Sequence, residues 1–213
     1  MKAILFSALS LAAAASSAHA VIVGTTDTFQ DLTVQGWEGA NPINIATGGP
    51  AGVGDAFLNI TSIGGTGPSS RLAADNPDAR WNGDYLAAGV TWIEADFLNM
   101  GTVPLEMRLV LFHGINERYT STAAGAVPAD GLWHHLVFGV GSASLTQVNG
   151  TWTYQEVLSA VDNVMFRHQT GLPEPGGTAI ASSLGIDNIH LAPSPGAAVL
   201  LAFACVRRRP RRS

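Results

Sequence analysis

The segment Arg80-Trp81-Asn82-Gly83-Asp84-Tyr85 sets two aromatic rings beside a guanidinium, an amide and a carboxylate. Such a group can stack on the apolar face of a sugar ring and bond its hydroxyls. Arg80, Trp81, Asn82, Asp84 and Tyr85 are therefore candidate ligand-binding residues. The same rings could instead plug one end of a folded core. Trp37 and Trp152 also lie beside polar, glycine-rich sequence and admit the same two readings. Glu94 and Asp96 offer different chemistry. Two residues apart in a strand, they share a face at roughly 7 Å, inside the ~5–9 Å that a glycosidase needs between its two carboxyls. They fit a solvated sheet face equally well. His134 and His135 are neighbours, so in a strand they point to opposite faces and cannot share a metal without a bulge. The sequence carries no GxSxG, HExxH, phosphate-binding loop or dinucleotide fingerprint.

These residues need a frame, and period-two patterning supplies it. In Val90 to Phe97, Trp92, Glu94 and Asp96 alternate with Thr91, Ile93, Ala95 and Phe97. Ile93 and Phe97 belong to a core and the acids to water. Asp55 to Thr61, Leu105 to Phe112, Leu132 to Val140, Asn163 to His168 and Leu184 to Leu191 read as further strands, with Glu106 and Arg108 on the wet face of their own. Gly48-Gly49-Pro50, Gly64-Gly65-Thr66-Gly67-Pro68, Asn82-Gly83, Asn149-Gly150 and Glu174-Pro175-Gly176-Gly177 punctuate them. Short strands between such turns predict an all-β fold, an antiparallel β-sandwich spanning residues 21–192. One or two helical turns are expected at 155–161.

The chain has 213 residues and a formal net charge of −5, but its charges are unevenly placed. Only Arg71, Arg80, Arg108, Arg118 and Arg167 lie between residues 21 and 206, against all 16 acids, which leaves this body at −11. It should repel nucleic acid, anionic lipid and strongly anionic polymers, so neutral polysaccharide is the expected glycan partner. Lys2, the apolar stretch Ala3 to Ala15 and Ala18-His19-Ala20 have the form of a signal peptide over residues 1–20. The only cysteine, Cys205, lies in the tail, so the exported body is neither a disulfide scaffold nor a thiol enzyme.

Pro193-Ser194-Pro195-Gly196, the apolar run Ala197 to Val206 and the closing arginines resemble the PEP-CTERM sorting signal of exported bacterial surface proteins, with Ser194 where the eponymous glutamate would stand. The resemblance implies a sorting segment over 193–213, an exosortase-type processing enzyme as partner, and transient contact of this transmembrane-like tail with the membrane. The apolar run is ten residues, against roughly 20 for a spanning helix.

Within the body, Trp81 to Tyr85, Ala88 to Asp96 and Gly185-Ile186-Asp187-Asn188-Ile189 resemble laminin-G-like or carbohydrate-binding-module-like domains. That likeness implies a jelly-roll sandwich, concanavalin-like or galactose-binding-like. In such domains the first and last strands are neighbours, often with a structural calcium between them. The resemblance thus makes Asp27 and Asp187 candidate Ca2+ ligands, with Asp31 or Asp55 in reach. The expected function is that of a non-catalytic cell-surface or extracellular matrix protein associated with neutral polysaccharide. A secreted glycan-active enzyme using Glu94 and Asp96, and a purely structural envelope component, stand as alternatives.

Overall fold

Alternation along the strands decides which side chains meet between two sheets in the computed structural model, which describes residues 21–65, 67 and 70–193. The chain runs through β1 (Thr26–Asp27), β2 (Glu38–Gly39), β3 (Ile43–Ile45), β4 (Phe57–Ile63) and β5 (Ala73–Asn76) to a short helix, α1 (Tyr85–Ala88). It continues through β6 (Val90–Asn99), β7 (Leu105–His113), β8 (Glu117–Ser121), β9 (Gly125–Val127), β10 (Trp133–Gly139) and β11 (Leu145–Asn149). The helix α2 (Tyr154–Leu158), β12 (Asn163–His168) and β13 (Ala181–Pro193) complete it.

The first sheet has the order β10-β6-β13-β4-β3, with β1 added to β13. The second has the order β11-β8-β7-β12-β5-β2, with β9 added to β7. Every pairing among the described residues is antiparallel, so the expected sandwich is the fold. Ile93, Ala95 and Phe97 of β6 face Leu109, Leu111 and Phe166 of the other sheet within one buried cluster. Phe97 and Phe166 meet edge to face at 5.3 Å.

The helices correct two local expectations. The expected 155–161 turn is α2, shifted toward the N-terminus because Thr153 and Glu156 form a reciprocal capping box. Residues 85–88, where no helix was expected, form α1. Asp84 caps it by accepting from the Ala87 N–H, and Gly89 ends it at φ 71.

The expectation of a transmembrane element and of membrane contact through residues 193–213 is also corrected. Among the described residues no helix is long and apolar enough to cross a membrane. Pro193 closes the antiparallel strand β13, and the ten-residue apolar run is about half a bilayer span. Residues 194–213, like the signal-peptide segment 1–20, lie outside the described residues.

Candidate functional site

Trp81 and Tyr85 are fully buried, so the exposed aromatic platform expected at 80–85 is not there. The plug reading holds instead. Trp81 packs edge-on against Trp37 at 5.8 Å, and Trp37 stacks on Phe166 at 5.7 Å. The Tyr85 hydroxyl donates to the Trp81 carbonyl at 2.7 Å. Asn82 and Asp84 border a cavity of about 560 Å³ with residues 159–162, and no aromatic ring lines it. Arg80 turns inward to Asp27. Trp152 is the partly exposed member of the expected aromatics, stacked on His113 at 4.3 Å.

Asp27 is buried and collects four donors. Arg80 reaches Oδ1 at 2.7 Å and Oδ2 at 3.3 Å. The indole N–H groups of Trp37 and Trp81 donate to Oδ2 at 2.8 and 3.0 Å. Burial pushes its pKa up, while the Trp37 bond, the Arg80 charge and the Trp81 bond pull it back. Held by one guanidinium and two indoles, this carboxylate is a core anchor.

β1 does pair with β13, as the resemblance implied, with Asp27 opposite Ile189. Asp27 and Asp187 nevertheless do not meet, because β13 carries a bulge. Asp187 opposes Asp96 and His190 opposes Glu94, so one extra residue is accommodated, with Asn188 at φ 49. Asp187 falls on the outer face and Ile189 on the core face beside Asp27. Asp31 is no closer to service, since its Oδ1 accepts from the Thr33 N–H and hydroxyl in an exposed turn.

Asp187 meets Asp55 instead. A Cβ added to Gly49 would lie 2.5 Å from Asp55 Oδ2 and 3.1 Å from Asp187 Oδ2, so both carboxylates converge on this glycine. Asp187 Oδ1 accepts from the Asn188 N–H at 2.7 Å, while Oδ2 is buried without a partner among the described residues. Asp55 is positioned by Gln30 at 2.6 Å and by the Ala51 N–H at 2.7 Å. Burial pushes Asp187 up to about 7. The Asn188 bond opposes this, and the charges of Asp55 and Asp96 add to it. Two converging carboxylates, an orphaned buried oxygen and glycine backbone alongside fit a hard cation such as Ca2+. Two carboxylates stand here, and among the described residues no group of three or more His, Cys, Asp or Glu side chains is placed to hold a metal ion.

Glu94 and Asp96 share the outer face of β6 as expected, but His135 lies across them, with Nδ1 2.9 Å from Asp96 and Nε2 3.7 Å from Glu94. Asn188 occupies the other Asp96 oxygen at 2.8 Å. Neither cavity described here is lined by Glu94 or Asp96. A glycosidase pair needs open space for a sugar between its carboxyls.

A second, more charged recess lies on the other sheet. The outer face of β5, β7, β8 and β12 and the segment 175–177 enclose a cavity of about 380 Å³. Arg71, Arg118 and Arg167 line it together with Asp75, Glu38 and Met165. The connection 169–180 crosses this face and is held to it by guanidinium groups. Arg167 donates to the carbonyls of Pro175, at 2.7 Å, and Glu174. Arg118 donates to the Pro175 carbonyl at 3.2 Å, and Arg108 to that of Gly171 at 2.5 Å. This cover explains why Arg108, expected in water, is 3% exposed. Sequence reasoning missed all of these residues. The available signal was arginine at outward strand positions, and it gathers on one face only through the non-local pairing of β7 with β12.

No protein-family model and no curated protein matches the sequence. Solved structures match in shape. An exo-β-agarase superposes with a TM-score of 0.54 at 12% identity, over 81% of this chain and 26% of the agarase. The agarase AgWH50C gives a TM-score of 0.52 at 12% identity, over 81% of this chain and 24% of its own. A family 11 carbohydrate-binding module from Clostridium thermocellum gives 0.49 at 16% identity, over 80% and 96% respectively. This chain therefore spans about a quarter of the length of the agarases it matches. At such identities the likeness shows the two-sheet sandwich fold.

Proposed function

We propose that the chain is an exported, non-catalytic module that associates with extracellular polysaccharide through the cavity on the outer face of the second sheet. The observation that carries this reading is the mixed lining of that cavity. Asp75 and Glu38 can accept from sugar hydroxyls, Arg71 and Arg118 can donate, and Met165 and Phe112 supply apolar floor. Asp75 is oriented by the Asn163 amide at 2.9 Å. The shape shared with part of two agarases supports a place beside glycan chemistry rather than in a complete enzyme. Affinity electrophoresis of the full chain through gels containing agarose and other polysaccharides tests the reading. At least one polymer should retard it, and Asp75→Ala should weaken that retardation about tenfold, near 1.4 kcal/mol, at unchanged fold. Migration unaffected by every polymer would leave the purely structural alternative.

Calcium forms the second part of the proposal, bound by Asp187 and Asp55 beneath the Gly48–Asp55 turn. It would join the turn to β13 and offset the mutual repulsion of the carboxylates. The raised pKa of Asp187 sets the sign of the pH dependence. The folded chain holds this proton more tightly than the unfolded chain does. Without calcium, stability should therefore fall as pH rises from about 4 towards 7. The expected loss, relative to Asp187→Asn, is on the order of 2 kcal/mol. At pH 8, millimolar calcium should raise the melting temperature above that in chelator, and Asp187→Asn should abolish the increase. Equal melting in calcium and chelator would remove the metal from the proposal.

A further inference from the structure

Four of the body's five arginines collect around one face of an otherwise acidic chain. Arg71, Arg118 and Arg167 line the cavity on the second sheet, and Arg108 lies directly opposite Arg167 in the pairing of β7 with β12. Like charges facing each other across a sheet destabilise it. Ion pairs would be the ordinary remedy, and 16 acids are available. Yet among the described residues the one arginine paired with carboxylates is Arg80, on Asp27 and Asp78. The guanidinium groups of Arg108, Arg118 and Arg167 donate to neutral main-chain carbonyls instead, four of seven such bonds going to the crossing segment. The Nε atoms of Arg71, Arg108, Arg118 and Arg167 are all buried without a partner among the described residues. Burial and the neighbouring Arg118 charge depress Arg167 to about 10, with Glu174 opposing and Arg71 and Arg108 adding to the effect. The cluster is short of an anion.

We propose that this cavity binds an acidic saccharide, with the carboxylate or sulfate ester of a sugar unit held by Arg71, Arg118 and Arg167 and its hydroxyls accepted by Asp75 and Glu38. Guanidinium forks match planar carboxylates and sulfate oxygens, and paired charge-assisted bonds are stronger than neutral ones. The two carboxylates in the lining distinguish the site from a bare anion trap. They would repel a small free anion, and they need hydroxyl donors, which a sugar unit brings on the same molecule. The net charge of −11 predicts a neutral partner only when charge is averaged over the body. At contact range the local arrangement prevails, because screening confines charge effects to about 8–10 Å.

This inference rests on the polysaccharide-binding reading, and one titration series separates the two. The full chain is titrated calorimetrically, in chelator, with oligogalacturonate, a sulfated galactan oligosaccharide, a neutral agarose oligosaccharide and sodium sulfate. At least one acidic oligosaccharide should bind about tenfold or more tightly than the neutral one and than sodium sulfate, and that preference should shrink as sodium chloride is raised. Arg71→Ala and Arg118→Gln should each reduce the acidic affinity about tenfold and the neutral affinity by clearly less, so that the preference for the acidic oligosaccharide shrinks. Equal, salt-independent binding of neutral and acidic oligosaccharides overturns the inference and leaves polysaccharide binding intact. Sodium sulfate binding as tightly as the acidic sugars overturns it in favour of a simple anion site. Acidic binding that survives both substitutions in folded protein overturns it by placing the site elsewhere. Binding of none of the four overturns the inference, and with the gel result it removes the polysaccharide reading too.

Discussion

Asp27→Ala is expected to destabilise the chain by about 3–5 kcal/mol, the usual cost of deleting one partner of a buried ion pair. The substitution strands three groups at once. Arg80 loses its carboxylate at 2.7 Å, and the buried indole N–H groups of Trp37 and Trp81 lose their shared acceptor. Each buried unpaired donor costs roughly 1–3 kcal/mol. Because 29% of the Arg80 side chain remains exposed, water can take up part of its charge, which keeps the loss below a full sum. Against a typical domain stability of about 5–15 kcal/mol, the change should be plain in a urea denaturation curve. Asp27→Asn keeps one acceptor and should lose less. An Asp27→Ala midpoint equal to that of the parent would show that Asp27 is no core anchor.

Trp81→Ala is expected to cost a similar ~3–5 kcal/mol, as for other buried aromatics, because the cavity it leaves cannot close fully between two packed sheets. The ring is wholly buried, contacts Trp37 edge-on at 5.8 Å and ties its N–H to Asp27. It does not line the arginine cavity. Below its lowered melting temperature, the variant should therefore retain the parent's retardation in polysaccharide gels. Unchanged stability with lost retardation would instead restore the sugar-platform reading of the 80–85 loop. Asp27 and Trp81 share a hydrogen bond, so the double variant should cost less than the two single losses added together.

The sandwich was legible because strand alternation is local. Ile93, Ala95 and Phe97 had to face a core and Glu94 and Asp96 had to face away, whatever the partners of β6. Turn glycines and prolines marked where strands stop, and the sign and position of every charge could be read directly. Which side chains meet across strands was not legible, because it depends on register and on single irregularities. One bulge between Asp187 and His190 changed the parity of the strand, which set Ile189 on the core face beside Asp27 and left Asp187 on the outer face with Asp55. Aromatic residues in a polar segment admitted both a platform and a plug, and packing against Trp37 and the start of α1 put Trp81 and Tyr85 in the core. Composition made the body −11, and tertiary structure decided that its few cations would gather. Pairing β7 with β12 set Arg108 against Arg167, and the crossing segment 169–180 closed over them. Charge is a property of the chain, but the potential a ligand meets depends on distances that only the folded sheet creates.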